Sequence, residues 1–229
     1  NIIINLERLR WLSQDPGKSY ILVNIPEFKL RIYENGEKIM EERVIVGTRE
    51  RKTPQLSTVV SGLVFNPRWY IPRSIAVKDF LPQQKRDNSY LKKKNIKVYE
   101  KKDSRFNEVK VDKINWKKLS KENFDYYFWQ DSGPWNALGD VIFQSPNKQH
   151  IYIHDTPDKY LFNHRVRSYS SGCVRVQNAL KIAKYFVGKY SSLEKKEIEN
   201  IIKKKDEERI TLNYRLPLHF LYMTVWIDN

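Results

Sequence analysis

The sequence of 229 residues holds one cysteine, Cys173, and it has no run of eighteen apolar residues. A single cysteine excludes an intramolecular disulfide and leaves no second thiol for a cysteine-rich zinc site. The absent apolar run argues against a membrane-spanning helix, and the opening residues lack the basic region and cleavage site of a signal peptide. Because the chain also starts without methionine, we expect an excised fragment or a mature product whose targeting segment lies upstream.

Acidic side chains are too few to balance the basic ones, since 27 Asp and Glu accompany 42 Lys and Arg, for a formal charge of +15. Such an excess invites a nucleic-acid interpretation. The lysines form short groups dispersed among glutamates, which predicts solvated faces rather than one groove: 92–94, 101–102, 117–118, 195–196 and 203–205. Zinc-finger spacing, a glycine-rich phosphate loop and aromatic RNA-binding strands are missing, so no nucleic acid is expected. An anionic cell-wall polymer would suit diffuse basicity equally well.

What the chain does contain is a candidate nucleophile. Cys173 lies nineteen residues after His154. A thiol attacks only as the thiolate, which a nearby imidazole can generate at neutral pH. The neighbours of the cysteine are small, hydroxylic or cationic, and the cations favour the thiolate: Arg167, Ser170, Ser171, Gly172 and Arg175. The alternative is a buried cysteine without chemistry.

His154 ends the segment 150–154, in which polar and apolar residues alternate with the period of a strand. A strand end is rigid yet open to substrate, which suits a catalytic group; an ordinary buried histidine is the alternative. His150 and His154 are not expected to bind one metal ion together, because four residues along a strand span about 13 Å, too far to share an ion. Asp155 is a poor partner for the adjacent ring because neighbouring strand residues point to opposite faces. We therefore expect a backbone carbonyl to orient the Nδ1 of His154.

Hydrophobic periodicity predicts an α+β fold, mainly β, in which an antiparallel sheet system closes as a sandwich or barrel. A hairpin at Asn35-Gly36 is expected between the second and third strands. The predicted strands are 20–25, 28–33, 38–46, 58–65, 140–144, 151–154, 210–214 and 219–226. Two helices follow the cysteine, the second with a possible capping box from Ser191 to Glu194. The first is expected to begin just beyond Cys173, and its dipole would favour the thiolate if its N-terminus points toward the sulfur.

Residues 76–128 differ in composition from the rest, being rich in lysine, asparagine and aromatic residues. They separate the early strands from the Cys173 segment and predict an inserted subdomain. We divide the chain into a lead-in segment, 1–18, and one domain, 19–229, interrupted by this insertion. The turn-rich loop 130–139 that follows offers Trp135 and Asn136 as candidate substrate contacts.

The pattern His154-Asp155-Thr156 followed by Ser170-Ser171-Gly172-Cys173-Val174-Arg175 resembles the signature of the L,D-transpeptidase catalytic domain, the YkuD-type fold. Matching segments extend over nearly the whole chain: 5–11, 20–26, 44–48, Arg51-Lys52-Thr53-Pro54, 66–69 and 136–139. The larger Gram-negative members with an inserted capping segment are especially similar. Many members carry histidine where this chain has Ser171, which leaves any role of a second imidazole unsupported.

The resemblance implies a peptidoglycan cross-linking enzyme of the cell envelope or periplasm, without metal or organic cofactor. Cys173 would be the nucleophile, His154 the general base and acid, and Gly172 with Ser171 the oxyanion region. A tetrapeptide stem would acylate the cysteine and release D-alanine, and a diaminopimelate amine of another stem would accept the acyl group. Carbapenem-type β-lactams are expected as covalent inhibitors. Contact with a membrane is expected only through a removed upstream segment. The expected substrate contacts are Arg175, Arg167, Tyr152, Trp135 and Asn136, the two arginines as carboxylate anchors.

Two other functions remain open at this stage. A Cys/His carboxypeptidase or endopeptidase on the same fold would trim stems without joining them. A catalytically silent module would bind the cell wall or another polyanion and leave Cys173 unmodified.

Overall fold

The computed structural model describes residues 2–10 and 17–225. Two predictions fall outside these residues: the family resemblance at Trp11, and the end of the last predicted strand at Trp226. In chain order, the strands of the described part are β1 (Ser19–Asn24), β2 (Lys29–Glu34), β3 (Glu37–Gly47), β4 (Leu56–Phe65), β5 (Trp69–Ile71), β6 (Ile96–Lys102), β7 (Arg105–Val109), β8 (Tyr126–Gln130), β9 (Val141–Gln144), β10 (Ile153–His154), β11 (Ser168–Ser170), β12 (Val174–Val176) and β13 (Glu208–Leu221).

α-Helices are fewer than strands in the described part of the chain. Those of the described part are α1 (Ile2–Arg10), α2 (Arg73–Ile75), α3 (Leu81–Arg86), α4 (Tyr90–Lys93), α5 (Ala179–Tyr190) and α6 (Lys195–Lys204). A π-helical turn, Ala76–Phe80, joins α2 to α3. None of the helices in residues 2–10 and 17–225 combines the length and apolar character that a membrane crossing requires.

The main sheet closes on itself. Its strands follow the order β3-β12-β10-β9-β4-β13-β1-β2, and β2 pairs again with β3, while β11 adds to β3 outside this ring. Most neighbours are antiparallel, but β1 with β13 and β10 with β12 are parallel. The Asn35-Gly36 hairpin forms as predicted, with positive φ at both residues. The predicted mainly β, α+β architecture is confirmed.

One apolar core fills the main sheet. Alternate residues of its strands and the apolar face of α5 pack into this core, where Phe143 and Phe186 meet edge to face at 5.9 Å between ring centroids. β13 is a single strand where two were predicted, because an irregularity between Thr211 and Leu216 interrupts its pairing with β4 without ending it. The capping box of α6 joins Glu194 to Glu197 rather than Ser191 to Glu194.

A second, smaller unit has its own sheet and core. The strands β5, β8, β6 and β7 form an antiparallel sheet over residues 69–130, which we call the inserted unit. One face of this sheet packs on α2–α4 through buried residues that include Leu91, Trp116 and Phe128. The other face carries partly exposed aromatics, with Tyr99 stacked on Trp129 at 4.0 Å. The predicted insertion, 76–128, lies within this unit, whose sheet starts and ends a few residues further out.

Candidate active site

The parallel pairing of β10 with β12 positions the two predicted catalytic residues. Ile153 lies beside Val174 and His154 beside Arg175. Ile153 and Val174 are buried in the main core. Since side chains alternate along a strand, His154 and Arg175 project from the opposite face, and Cys173, two residues before Arg175, lies on that same side. Cys173 directly precedes β12, so the topology brings it to a position diagonal to His154 on the same side of the sheet.

His154 is held by backbone carbonyls. Its Nδ1 is 2.5 Å from the carbonyl oxygen of Asp155, which is the kind of partner that the sequence predicts. Burial lowers the pKa of His154 from 6.5 to about 3, and the nearby charge of Arg175 acts in the same direction. Hydrogen bonds with the carbonyls of Asp155 and Leu138 oppose this shift. The imidazole is therefore neutral at pH 7 and able to accept a proton.

The loop before β9 supports this arrangement. Asn136 is fully buried, and its Nδ2 donates to the carbonyls of Pro67, Gln130 and Asp131 at 2.9–3.2 Å. Its Oδ1 accepts from the N–H of Leu138 at 2.8 Å. These bonds use the amide completely, so Asn136 shapes the loop that carries the Leu138 carbonyl. This geometry does not support the substrate contact expected of Asn136.

Gly139 and Asp155 fix the other side of the same loop. Gly139 has φ +62°, and a Cβ built there would lie 2.5 Å from Asp155 Oδ2. The buried Asp155 carboxylate accepts from the N–H of Asp140 at 3.1 Å and from the Lys159 ammonium. Asp155 thus serves His154 through its carbonyl, while its carboxylate anchors the surrounding backbone.

The thiol of Cys173 lies among backbone groups. Its Sγ is 3.8 Å from the carbonyl oxygen of His150, and in the described part of the chain no hydrogen bond joins it to His154. Burial raises the pKa of Cys173 above 9.0, against the opposing effects of the Tyr152 N–H and the Arg175 charge. A neutral thiol beside a neutral imidazole is therefore the resting state that the structure favours, instead of the thiolate expected from the sequence.

The helix dipole expected to favour that thiolate is also misplaced. α5 begins at Ala179, and β12 lies between it and Cys173. Three strand residues carry the chain about 10 Å away from the sulfur before the helix starts. Because the effect of a helix N-terminus falls off within about one turn, the dipole of α5 does not favour the thiolate of Cys173.

The backbone on either side of the sulfur is clamped by two hydroxyls. Ser170 Oγ donates to the carbonyl of Cys173 at 2.5 Å and accepts from the N–H of Gly172 at 3.1 Å. Thr53 Oγ1 donates to the carbonyl of Gly172 at 2.7 Å and accepts from the N–H of Gly47 at 2.9 Å. The Gly172 N–H is thus already bonded, so the oxyanion donor predicted there is better sought at the N–H of Cys173.

Ser171 points away from this clamp toward a cation. Its Oγ accepts from Nη1 of Arg51 at 2.9 Å. The same guanidinium forms a two-pronged ion pair with Asp79 of the inserted unit, with both N–O distances at 2.5 Å. The exposed Ser171 therefore links the Cys173 loop to the inserted unit through Arg51.

The predicted arginine anchors behave differently from each other. Arg175 lies beside His154, makes one 3.4 Å contact with Asp158, and has a buried Nε without a hydrogen-bond partner among the described residues. Arg167 instead donates from all three nitrogens to the carbonyls of Val44, His164 and Phe28 at 2.8–3.1 Å. These contacts favour a structural role for Arg167, joining the β2–β3 region to the segment before β11, rather than substrate binding.

The two predicted aromatic contacts lie at different depths. Tyr152 is half-buried, and its carbonyl accepts from Val174 while its N–H faces the sulfur of Cys173. Trp135 is 46% exposed in the loop after β8. A substrate contact by either side chain stays a prediction.

Sequence reasoning missed Thr53, Arg51 and Asp79 as parts of this site. Thr53 and Arg51 belong to the segment 51–54, whose similarity to the family was the only available signal. No sequence signal indicated Asp79, because its contact with Arg51 depends on how the inserted unit packs. His, Cys, Asp and Glu side chains of the described residues form no group of three that could hold a metal ion.

Comparisons with known proteins agree with the resemblance drawn from the sequence. A family model described as the L,D-transpeptidase catalytic domain, YkuD, matches residues 18–193. A Haemophilus influenzae protein named "Putative L,D-transpeptidase" is 34% identical over 228 residues, which cover all of this chain and 45% of that protein. The chain thus spans less than half the length of this relative.

Two solved structures can be superposed on most of the chain. An L,D-transpeptidase from Mycobacterium smegmatis is 9% identical, with a TM-score of 0.43, covering 89% of this chain and 58% of its own. The catalytic domain of an E. faecium L,D-transpeptidase acylated by ertapenem is 11% identical, with a TM-score of 0.38, covering 89% and 97%. The assignment itself rests on the family model and the curated relative. On these grounds the chain belongs to the L,D-transpeptidase catalytic domain family.

Proposed function

We propose that the chain is a peptidoglycan L,D-transpeptidase in which Cys173 is the nucleophile and His154 the general base. One observation carries the proposal: in a member of this family, the pairing of β10 with β12 directs the neutral imidazole of His154 and the thiol of Cys173, just before β12, to the same side of the sheet. A neutral base beside a neutral thiol can generate the thiolate at the moment of attack.

The first half of the reaction acylates the enzyme. His154 takes the thiol proton as Cys173 Sγ attacks the carbonyl carbon that precedes the terminal D-alanine of a tetrapeptide stem. The oxyanion of the tetrahedral intermediate accepts a hydrogen bond from the Cys173 N–H, which the Ser170 clamp holds in place. The carbon–nitrogen bond then breaks, the imidazolium gives its proton to the leaving amine, and a thioester remains on Cys173.

The second half transfers the acyl group. The side-chain amine of a diaminopimelate residue on another stem attacks the thioester carbonyl and gives a proton to His154. The carbon–sulfur bond breaks, and the proton returns to Cys173. Arg175 lies beside His154 with an unpaired buried Nε in the described structure, so we assign it a carboxylate of the stem.

Intact-mass measurement after addition of a carbapenem tests the nucleophile. We expect one adduct on the wild-type chain and none on Cys173→Ala, with unchanged far-ultraviolet circular dichroism. An adduct on Cys173→Ala would remove Cys173 as the nucleophile.

The test for the base is that His154→Ala slows acylation at least about a hundredfold near pH 7, as expected for loss of general-base catalysis. His164→Ala, an exposed histidine outside the site, is the matched control and should react like wild type.

Products of purified muropeptides separate transfer from hydrolysis. A transpeptidase accumulates dimers joined through diaminopimelate, whereas a carboxypeptidase or endopeptidase on the same fold leaves trimmed monomers. A silent binding module would retain the wall polymer and leave both the muropeptides and Cys173 unchanged. Because the proposed substrate lies outside the cytoplasmic membrane, we further propose that the protein acts in the cell envelope, which fractionation of cells producing the full-length protein would test.

A further inference from the structure

Arg51 connects the Cys173 loop to the inserted unit. It lies in the loop between β3 and β4, and its backbone carbonyl lies 3.9 Å from where a Cβ on Gly172 would be. Its guanidinium donates to Ser171, two residues before the nucleophile, and to both carboxylate oxygens of Asp79. The Asp79 carboxylate therefore shows how a carboxylate binds to Arg51 at the edge of the proposed active site.

Asp79 reaches this position from an unusual backbone. It belongs to the π-helical turn Ala76–Phe80, between α2 and α3. Such turns are rare and occur frequently at functional sites, because the extra residue re-aims the side chains around it. The turn presents Asp79 to a residue 28 positions earlier in the chain, on the other unit.

The ion pair remains open to solvent. The side chains of Arg51 and Asp79 are 33% and 36% exposed. Ion pairs with this much exposure are weakly held, since water competes for both partners. A second carboxylate with similar two-pronged geometry can therefore replace Asp79 on the guanidinium.

We propose that Arg51 binds a carboxylate of the donor stem peptide, and that Asp79 occupies this guanidinium until the substrate displaces it. This inference rests on the proposed function, because it takes the stem as its ligand. Binding of the donor then breaks the Arg51–Asp79 pair between the inserted unit and the loop that carries Cys173. Ser171 keeps the guanidinium oriented while the two carboxylates exchange.

The experiment measures acylation of Cys173 by a synthetic tetrapeptide donor, as the half-saturating donor concentration and the maximal rate. Asp79→Asn removes the competing charge and should lower the half-saturating concentration by about fivefold with an unchanged maximal rate. Arg51→Gln should raise it by about tenfold, because a charge-assisted pair with the donor is lost. Asp131→Asn is the control, since Asp131 pairs with Arg68 and Lys97 in partly exposed ion pairs that do not include Ser171.

Donors amidated at one carboxylate at a time identify the group that Arg51 binds. For the donor that lacks it, wild type and Arg51→Gln should have the same half-saturating concentration, and Asp79→Asn should bring no gain. Thermal unfolding and alkylation by neutral iodoacetamide check that each variant is folded with an accessible thiol.

Failure of this inference differs from failure of the proposed function. If no donor acylates wild-type Cys173, the proposed function is overturned and this inference with it. If wild type is acylated but Asp79→Asn and Asp131→Asn behave alike, the exchange is overturned while the function stands. An equal effect of Arg51→Gln on every amidated donor would likewise overturn it, because a structural role does not depend on the donor's charge.

Discussion

At the scale of the residue, the decisive property of the site is the charge state of Cys173 and His154. The sequence predicts both residues as parts of the site. It also predicts a backbone carbonyl that orients the ring, because a strand-end histidine next to a carboxylate on the opposite face has few other partners. It does not reveal that burial keeps both groups neutral, since burial depends on how segments distant in sequence pack around the site. Of the two cations that suggest a thiolate, Arg167 is bonded to backbone carbonyls, and the effect of Arg175 on the pKa of Cys173 is smaller than that of burial.

This charge state predicts the pH dependence of alkylation. Because the pKa of Cys173 is raised above 9.0, the thiolate fraction should grow about tenfold per pH unit from pH 6 to pH 9. The rate of reaction with iodoacetamide should follow this increase. A plateau between pH 5 and 8 would contradict it, because a plateau indicates a thiolate–imidazolium pair. His154→Ala should keep the same rising profile.

At the scale of the element, strands with a clear alternating pattern and the first hairpin are predictable from the sequence, whereas loop contacts are not. The alternation of 151–154 and the Asn35-Gly36 turn determine local structure, so β10 and the first hairpin were found. The sequence predicts a substrate contact for Asn136, because its turn-rich loop lies near the site in sequence. Its burial follows from the packing of Pro67 and Gln130 against it, which no local pattern encodes.

Gly139→Ala tests whether the loop before β9 positions His154. A Cβ at this left-handed position would collide with Asp155, whose carbonyl binds the ring, so we expect a loss of about 2 kcal/mol of stability and slower acylation. Denaturant unfolding and the acylation rate measure the two effects. Gly188→Ala is the control: this helical position has no atoms within 4 Å of the added Cβ and should gain slightly in stability. Equal behaviour of the two variants would contradict the assignment.

At the scale of the whole molecule, residues 2–10 and 17–225 contain two large cores, besides a small cluster of Leu22, Leu221 and Met223. The composition of 76–128 predicts a separate unit, but its sheet recruits β5 and the end of β8 from outside that range, because aromatic and β-branched residues continue there. The contact of Asp79 with Arg51 joins this unit to the Cys173 loop. Sequence composition identifies such a unit without showing which of its residues faces the site.

Separate cores predict separate responses to cavity mutations. Phe128→Ala removes a fully buried ring from the inserted unit and should cost about 3–5 kcal/mol there. Hydrogen exchange should accelerate within residues 69–130 and stay slow in β4 and β13. Phe143→Ala, in the main core, should accelerate exchange in β4 and β13 instead. Uniform acceleration in both variants would mean that the two units unfold as one.

The closed ring of the main sheet has a consequence for association between copies. Eight strands pair in a circle, so within the described part of the main sheet only the short β11, outside the ring, has an open row of backbone groups. The four-stranded sheet of the inserted unit does have two such edges, at β5 and β7. Exposed Arg105 and Glu108 on β7 oppose the stacking of a second strand there. β10, which carries His154, and β12, which follows Cys173, are thus shielded from edge-to-edge aggregation, and the longest open edge, β7, lies in the inserted unit.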